Sequence, residues 1–220
     1  MATPGRIQIV GGGGHALVVA DAARSAGWQI VEFWDDDPQA PLGARVRRAG
    51  SVADLADTES DLPLIIAIGG LATRRAVIDQ LGPRPYATII HPRAIVSPDA
   101  AIGAGTLIGP GAIINPRAVV GSHGILNSGT IVEHDCAVGD NVHLAPRTVL
   151  GGGVSVGAET LIGLGAVVLP QVRIGERCVV AAGAVVTQNI PDRTTAIGVP
   201  AVPRPRGGVA THTGDDGAGI

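Results

Sequence analysis

The densest gathering of side chains able to do chemistry in this 220-residue chain is Asn127, Glu133, His134, Asp135, Asp140 and His143. A histidine with a carboxylate as its next neighbour has the makings of a general base. Imidazole titrates near neutrality, and a carboxylate both orients the ring and stabilises its protonated form. Such a pair can accept the proton of an amine or hydroxyl as that group attacks an acyl carbon. A second chemical signal lies near the N-terminus. Gly11, Gly13 and Ala16 satisfy G-x-G-x-x-[GA], with Gly14 and His15 inside the motif and Asp35 and Asp36 about twenty places on. Bare amides at a helix start can approach phosphate, and the carboxylates can lie near a ribose or base. The alternative is a glycine turn that only packs a helix on a strand.

The element that must position the first group is a repeat. Residues 89–190 divide without remainder into seventeen hexapeptides whose second place is always Ile, Leu or Val, among them Ile90, Leu126, Val132, Leu144 and Val186. A period of six does not suit an α-helix, whose apolar positions recur near 3.6; it suits short strands broken by turns. Each unit should send its second residue inward and place its usually small sixth residue (Ala94, Thr106, Cys136, Ala184) near a corner. Successive turns should stack about 4.8 Å apart, their backbone amides paired. The pattern resembles the hexapeptide-repeat acyltransferases, whose left-handed parallel β-helix uses three hexapeptides per triangular coil, implying five to six coils here. On that frame Gly152, inside Gly151-Gly152-Gly153, lies one coil above His134 and leaves space over its ring. His143 is half a coil from His134, on the opposite side of a prism with an edge of roughly 20 Å. The two cannot meet in one subunit, but a threefold assembly of parallel prisms would bring them to one cleft. His91 and His123 have no comparable company and read as surface or junction residues.

Ahead of the repeat, Arg6–Val10 reads as a buried strand, residues 16–25 as a helix, 29–33 as a strand, 52–56 as a helix, 64–69 as a strand and 73–81 as a helix. The order β-α-β-α-β implies a small parallel α/β sheet, half a dinucleotide fold, so a mononucleotide group fits it better than NAD. Three regions follow: a nucleotide-sugar-binding α/β domain over 1–88, the β-helix over 89–190, and a C-terminal segment over 191–220 that is proline-rich as far as Pro205 and reads as a disordered tail from Arg206. The formal charge is −3 and all sixteen cations are arginines without a basic cluster, which argues against nucleic acid and anionic membranes. No signal pattern and no apolar run of about 18 residues is present, so the expectation is a cytoplasmic protein that does not span a membrane. Cys136 and Cys178, both in sixth places, read as corner fillers.

A closer resemblance rests on Gly11-Gly12-Gly13-Gly14-His15-Ala16, Asp35-Asp36, Ala67-Ile68-Gly69, the segment from Ile125 to Cys136 (ILNSGTIVEHDC) and Asn141-Val142-His143-Leu144. Together these are similar to the bacterial nucleotide-sugar N-acetyltransferases that acetylate a 4-amino-4,6-dideoxy sugar, as in bacillosamine or perosamine biosynthesis. Sialic acid O-acetyltransferases are relatives. The resemblance implies acetyl-CoA as co-substrate, no metal, a nucleotide-linked amino sugar as acceptor and a homotrimer. It further implies His134 as base, Asp135 orienting it, and His143 contacting the acetyl group. Gly152, Ala145, Gly163 and Arg204 would lie along coenzyme A, and Gly11, Gly13, Gly14, His15, Asp35, Asp36, Gly69 and Asn127 along the sugar nucleotide. One departure is the tail, where Val202 follows Ala201 in place of the usual lysine, leaving Arg204 or Arg206 to meet the coenzyme phosphate. O-acetylation of a sialic acid, a zinc carbonic anhydrase using histidines of the repeat, and a non-catalytic nucleotide-sugar scaffold are the other readings.

Overall fold

The computed structural model describes residues 5–205. Four parallel strands form the first sheet: β1 (Arg6–Val10), β2 (Gln29–Trp34), β3 (Arg48–Gly50) and β4 (Leu64–Ile66), in the order β3-β2-β1-β4. Strand β3 and a 3-10 turn at Pro41–Ala44 escape the sequence reading, because neither is long enough to show a period. Helix α1 (Gly14–Ser25) starts two residues earlier than expected. Helices α2 (Val52–Ala56) and α3 (Leu71–Leu81) cover the opposite face of the sheet.

Seventeen two-residue strands, β5 to β21, then fall on the first two places of every hexapeptide, from Ile89–Ile90 to Val185–Val186. Partners sit eighteen residues apart, as in Leu126↔Leu144 and Leu144↔Ile162, so three hexapeptides complete a coil. The strands stack into three parallel faces. The first includes β11 (Ile125–Leu126) and β14 (His143–Leu144). The second includes β12 (Ile131–Val132) and β15 (Val149–Leu150), and the third includes β13 (Ala137–Val138). Second-place residues fill the prism, with Leu126, Val132, Leu144, Leu150 and Ile162 all at 0% exposure. Sharp corners come from the fifth place, whose backbone is left-handed: Arg117 (φ 61°), Asp135 (φ 61°), Asn141 (φ 53°) and Gly153 (φ 70°).

The two domains share a core. Helix α1 lies between its own sheet and the first face of the prism, where Ile89, Leu107 and Ile125 pack with Ala16, Val19 and Ala23. At the far end the proline-rich part of the C-terminal segment is built into the prism. Strands β22 (Thr194–Ile197) and β23 (Val202–Pro205) form an antiparallel hairpin that continues the first face through pairing of Val179 and Val180 with Thr195 and Ala196. The open edge of the last coil offers unpaired backbone groups, and the hairpin satisfies them. The remainder of the tail, 206–220 with Arg206, lies outside the described residues.

Candidate active site

The glycine loop leaves β1 at Gly11 (φ +100°) and enters α1 at Gly13. A Cβ at Gly12 would lie 2.6 Å from Phe33 and from Ala40, so packing alone demands that glycine. At Gly13 and Gly14 a Cβ would meet nothing, so the bare amides of the helix start face open space. They line a cleft of about 360 Å³ with His15, Asp35, Asp36, Val52, Ile68, Gly69 and Thr73. Asp35 accepts from Gly12 N (2.5 Å) and Asp37 N (2.8 Å), and Asp36 accepts from Val52 N (3.0 Å) at the start of α2. Both carboxylates therefore shape the floor of the cleft through the backbone, a task that spacing alone does not reveal.

His143 sits on the first face of the prism, half-buried beneath the α/β domain rather than on an open strand. Its Nδ1 donates to the Gly69 carbonyl (3.2 Å), and its Nε2 lies 3.5 Å from Asn127 Nδ2. The His15 ring is 6.2 Å away, centre to centre. Burial, with the positive charge of Arg74, pushes both histidines down to about 4, so both are neutral at physiological pH. Asn127, Ala145 and Gly163 recur at the third place of successive coils and form one line along the corner between the first and second faces. A Cβ at Gly163 would lie 2.6 Å from Ala182 N, so coil stacking already requires that glycine.

His134 lies in the turn from β12 to β13, at the corner between the second and third faces. In its ladder of fourth-place residues, Pro116 is one coil below and Gly152 one coil above. Its Nδ1 donates to Asp135 Oδ2 (2.7 Å), which leaves the lone pair on Nε2. That edge points at Gly152, where a Cβ would come within 2.8 Å of both Cε1 and Nε2. The ring itself is 57% exposed. Asp135 is gripped from the coil below by Arg117, with Nε–Oδ1 at 2.6 Å and Nη2–Oδ2 at 2.7 Å, and this guanidinium, with His134, holds its carboxyl well below the usual carboxylate range. One chain thus keeps His134 at the corner between the second and third faces and His143 on the first face, as the half-coil spacing requires. Arg204 stands apart from both, on β23.

Comparison with known proteins gives a consistent assignment. Residues 6–81 match the family model of the PglD N-terminal domain, and residues 153–188 match the bacterial transferase hexapeptide (six repeats). PerB of Caulobacter crescentus, solved with CoA and GDP-perosamine, is 39% identical with a TM-score of 0.81 over 92% of this chain and 98% of its own. The acetyltransferase domain of PglB from Neisseria gonorrhoeae is 33% identical, with a TM-score of 0.85 over 90% of this chain and 99% of its own. The chain belongs to the hexapeptide-repeat nucleotide-sugar N-acetyltransferases. UDP-N-acetylbacillosamine N-acetyltransferase of Bacillus subtilis is 39% identical over 105 residues, 45% of this chain and 49% of that protein, so the match spans about half the length of that curated relative.

Two arginines of this N-acetyltransferase escape the sequence reading. Arg117 had a signal, since it occupies the fifth place one coil before Asp135. Arg74 had none. It lies on α3 at 1% exposure and reaches across the domain boundary to Asn141, a contact between residues 67 apart in the chain. The two histidines read as surface or junction prove to be packed. His91 is buried, its Nδ1 accepting from Arg93 N (3.1 Å), and His123 stands edge-on to Tyr86 at 4.5 Å, so the interdomain linker leans on it. Cys136 and Cys178 are both buried, the Cys178 thiol donating to the Pro191 carbonyl (3.0 Å). No described helix is long and apolar enough to cross a membrane. Among the described residues, no group of three or more His, Cys, Asp or Glu side chains could hold a metal ion.

Proposed function

We propose that this chain transfers acetyl from acetyl-CoA to the 4-amino group of a nucleotide-linked 4-amino-4,6-dideoxy sugar, of the UDP-linked bacillosamine-precursor or GDP-perosamine type, with His134 as general base in a homotrimer. The observation that carries this reading is the His134–Asp135 pair, whose free Nε2 edge faces the bare Cα of Gly152. A sugar ammonium must lose a proton before its nitrogen can attack a thioester carbon. As the C–N bond forms and the C–S bond breaks, Nε2 takes the amine proton, and Asp135 stabilises the resulting imidazolium. Neutral His143, on the first face, presents a second imidazole to the acetyl group. The helix start at Gly13 and Gly14 supplies bare amides for a diphosphate, and Val52 and Val77 give the cleft an apolar side for a base.

The faces of the prism support a threefold unit. The α/β domain covers the first face over Ile89, Leu107, Ile125 and His143, whereas the outward residues of the second face are Ile95, Ile113, Ile131, Val149, Val167 and Val185 along its six strands. Ile95 is 65% exposed in the single chain. An apolar strip of that length calls for a partner. If the second face lines a threefold axis, the corner between second and third faces of one subunit meets the corner between first and second faces of the next. His134 then faces the neighbour's Asn127 at the same coil height, and Gly152 comes level with the neighbour's His143 and Ala145. Three such clefts form, each beside a glycine-loop cleft. The reaction is tested by supplying acetyl-CoA with UDP-, GDP-, dTDP- and CMP-linked 4-amino sugars and following release of the CoA thiol. Turnover with a UDP- or GDP-linked acceptor is expected, and no turnover with any amino sugar would overturn the proposal.

A further inference from the structure

Arg74 is among the largest fully buried side chains of the molecule, yet none of its hydrogen-bond partners is a carboxylate. Its Nη1 donates to the carbonyls of Ile68 (2.8 Å) and Gly69 (3.1 Å), at the end of the segment that lines the glycine-loop cleft. The other side of the fork reaches the β-helix. There Nε donates to Asn141 Oδ1 (2.7 Å), while Nη2 donates to the carbonyl of Asn141 at 3.3 Å and, more weakly, to that of Val142 at 3.5 Å. Asn141 returns a bond from Nδ2 to Leu71 O (3.2 Å) at the head of α3. Hydrophobic packing explains contact between the domains, but it does not explain a charge buried at this cost among neutral acceptors. What the fork does is fix Gly69 O, which accepts from Arg74 and from His143 Nδ1 at once.

A carbonyl oxygen can only accept, so its placement determines which ring nitrogen of His143 carries hydrogen. We propose that Arg74 is a positioning residue: by clamping the 68–69 carbonyls to the coil that carries His143, it locks that imidazole as the neutral Nδ1–H tautomer and aims its Nε2 lone pair into the active cleft beside Asn127. This rests on the reading that His143 faces the reacting group. The charged and titratable groups around the ring are Arg74 from α3 and His15 from α1. Burial is the main cause of the lowered basicity of His143, and both neighbours add to it by disfavouring an imidazolium there. A second proton on His143 would remove the only acceptor it can offer, and the buried guanidinium makes that protonation costly. The Nε2 atom of His15 is buried without a hydrogen-bond partner, so this neighbouring ring nitrogen makes no bond to the Gly69 carbonyl.

The test is ¹⁵N-histidine NMR on the full-length protein, with the His143 signal assigned by His143→Asn. The wild type should show a single neutral Nδ1–H tautomer at pH 7 that persists below pH 5. In Arg74→Met the tautomers should mix and the protonation midpoint should move up toward the ordinary value near 6.5. Arg74→Lys keeps the charge but cannot span both sets of carbonyls, so it should mix tautomers while the midpoint stays low; it serves if the Met variant does not fold. A wild type carrying its proton on Nε2, or a folded variant of either kind with the wild-type signal, overturns the inference. These spectra need no turnover, so a protein that fails to acetylate any amino sugar sinks the proposed function while the tautomer is still decided. If both hold, Arg74→Met should also lower kcat about 10²-fold through misplacement.

Discussion

Asp135 is held at both ends, by Arg117 through two bonds and by the His134 ring through one, so the carboxylate has a single useful orientation. Substitution of His134 by Asn keeps the size of the side chain and removes the basic nitrogen. It should lower kcat by about 10²–10⁴-fold with little change in either Michaelis constant, as steady-state kinetics will show; a loss under about threefold would mean that solvent deprotonates the amine. Arg117→Ala leaves the base intact and only loosens its orienting carboxylate, so an intermediate fall of about 10-fold in kcat is expected, by analogy with the loss of other supporting-shell bonds. His15 and His143 give the protein an acid sensitivity of definite sign. Both have folded-state pKa values pushed down to about 4. Between about 6.5 and 4 the unfolded chain binds protons that the native chain refuses, so stability is intact above that window and falls as pH drops through it. Urea midpoints measured from pH 7 to 4 should decline, and His143→Asn should flatten the decline.

At the scale of the coil, adjacent glycines do different jobs. A Cβ at Gly151 would lie 2.7 Å from the backbone nitrogen of Pro170, whereas the three atoms nearest to one at Gly152 all belong to the His134 ring. Gly151→Ala should therefore cost stability, by about 1–3 kcal/mol of overpacking, with kcat retained in the folded fraction. Gly152→Ala should leave the thermal midpoint near that of the parent and reduce kcat by displacing the imidazole. Calorimetry and kinetics on the same pair separate the two effects, and an inert Gly152→Ala would show that the ring needs no free space above it. The hexapeptide frame puts these glycines at the third and fourth places of their unit, and every place recurs at six-residue intervals whatever the side chains do. The short strand Arg48–Gly50 and the hairpin of Thr194–Pro205 have no such frame. Each forms because an existing sheet edge presents unpaired amides and carbonyls.

The whole molecule is a prism with one face covered, one apolar and one lined by small or polar side chains such as Ala101, Ala137 and Ser155. Ile131→Glu places a charge in the middle of the apolar face, where a single chain can hydrate it and a threefold interface cannot. Light scattering should show the variant as a monomer, with strand content unchanged by circular dichroism and acetyl transfer lost. An active Ile131→Glu monomer would refute the shared cleft.

The sequence by itself determined a solenoid of six-residue strand-and-turn units, because stacking and inward alternation act on consecutive residues and leave a period behind; the eighteen-residue coil, and with it the separation of His134 from His143, was implied by the family resemblance and is fixed by the strand pairing. The sequence also marked His134 and Asp135, which are neighbours in the chain. Only the tertiary structure decided that Asp35 and Asp36 hold backbone amides, that Arg117 grips Asp135, and that His143 lies under Gly69. It alone showed Arg74 joining the two domains through Asn141. The physical reason is the range of the interactions. A hydrogen bond between residues 67 or 74 apart in the chain depends on where two domains come to rest against each other, and that is set by the shared apolar core around α1, which carries no spacing that a linear pattern can report.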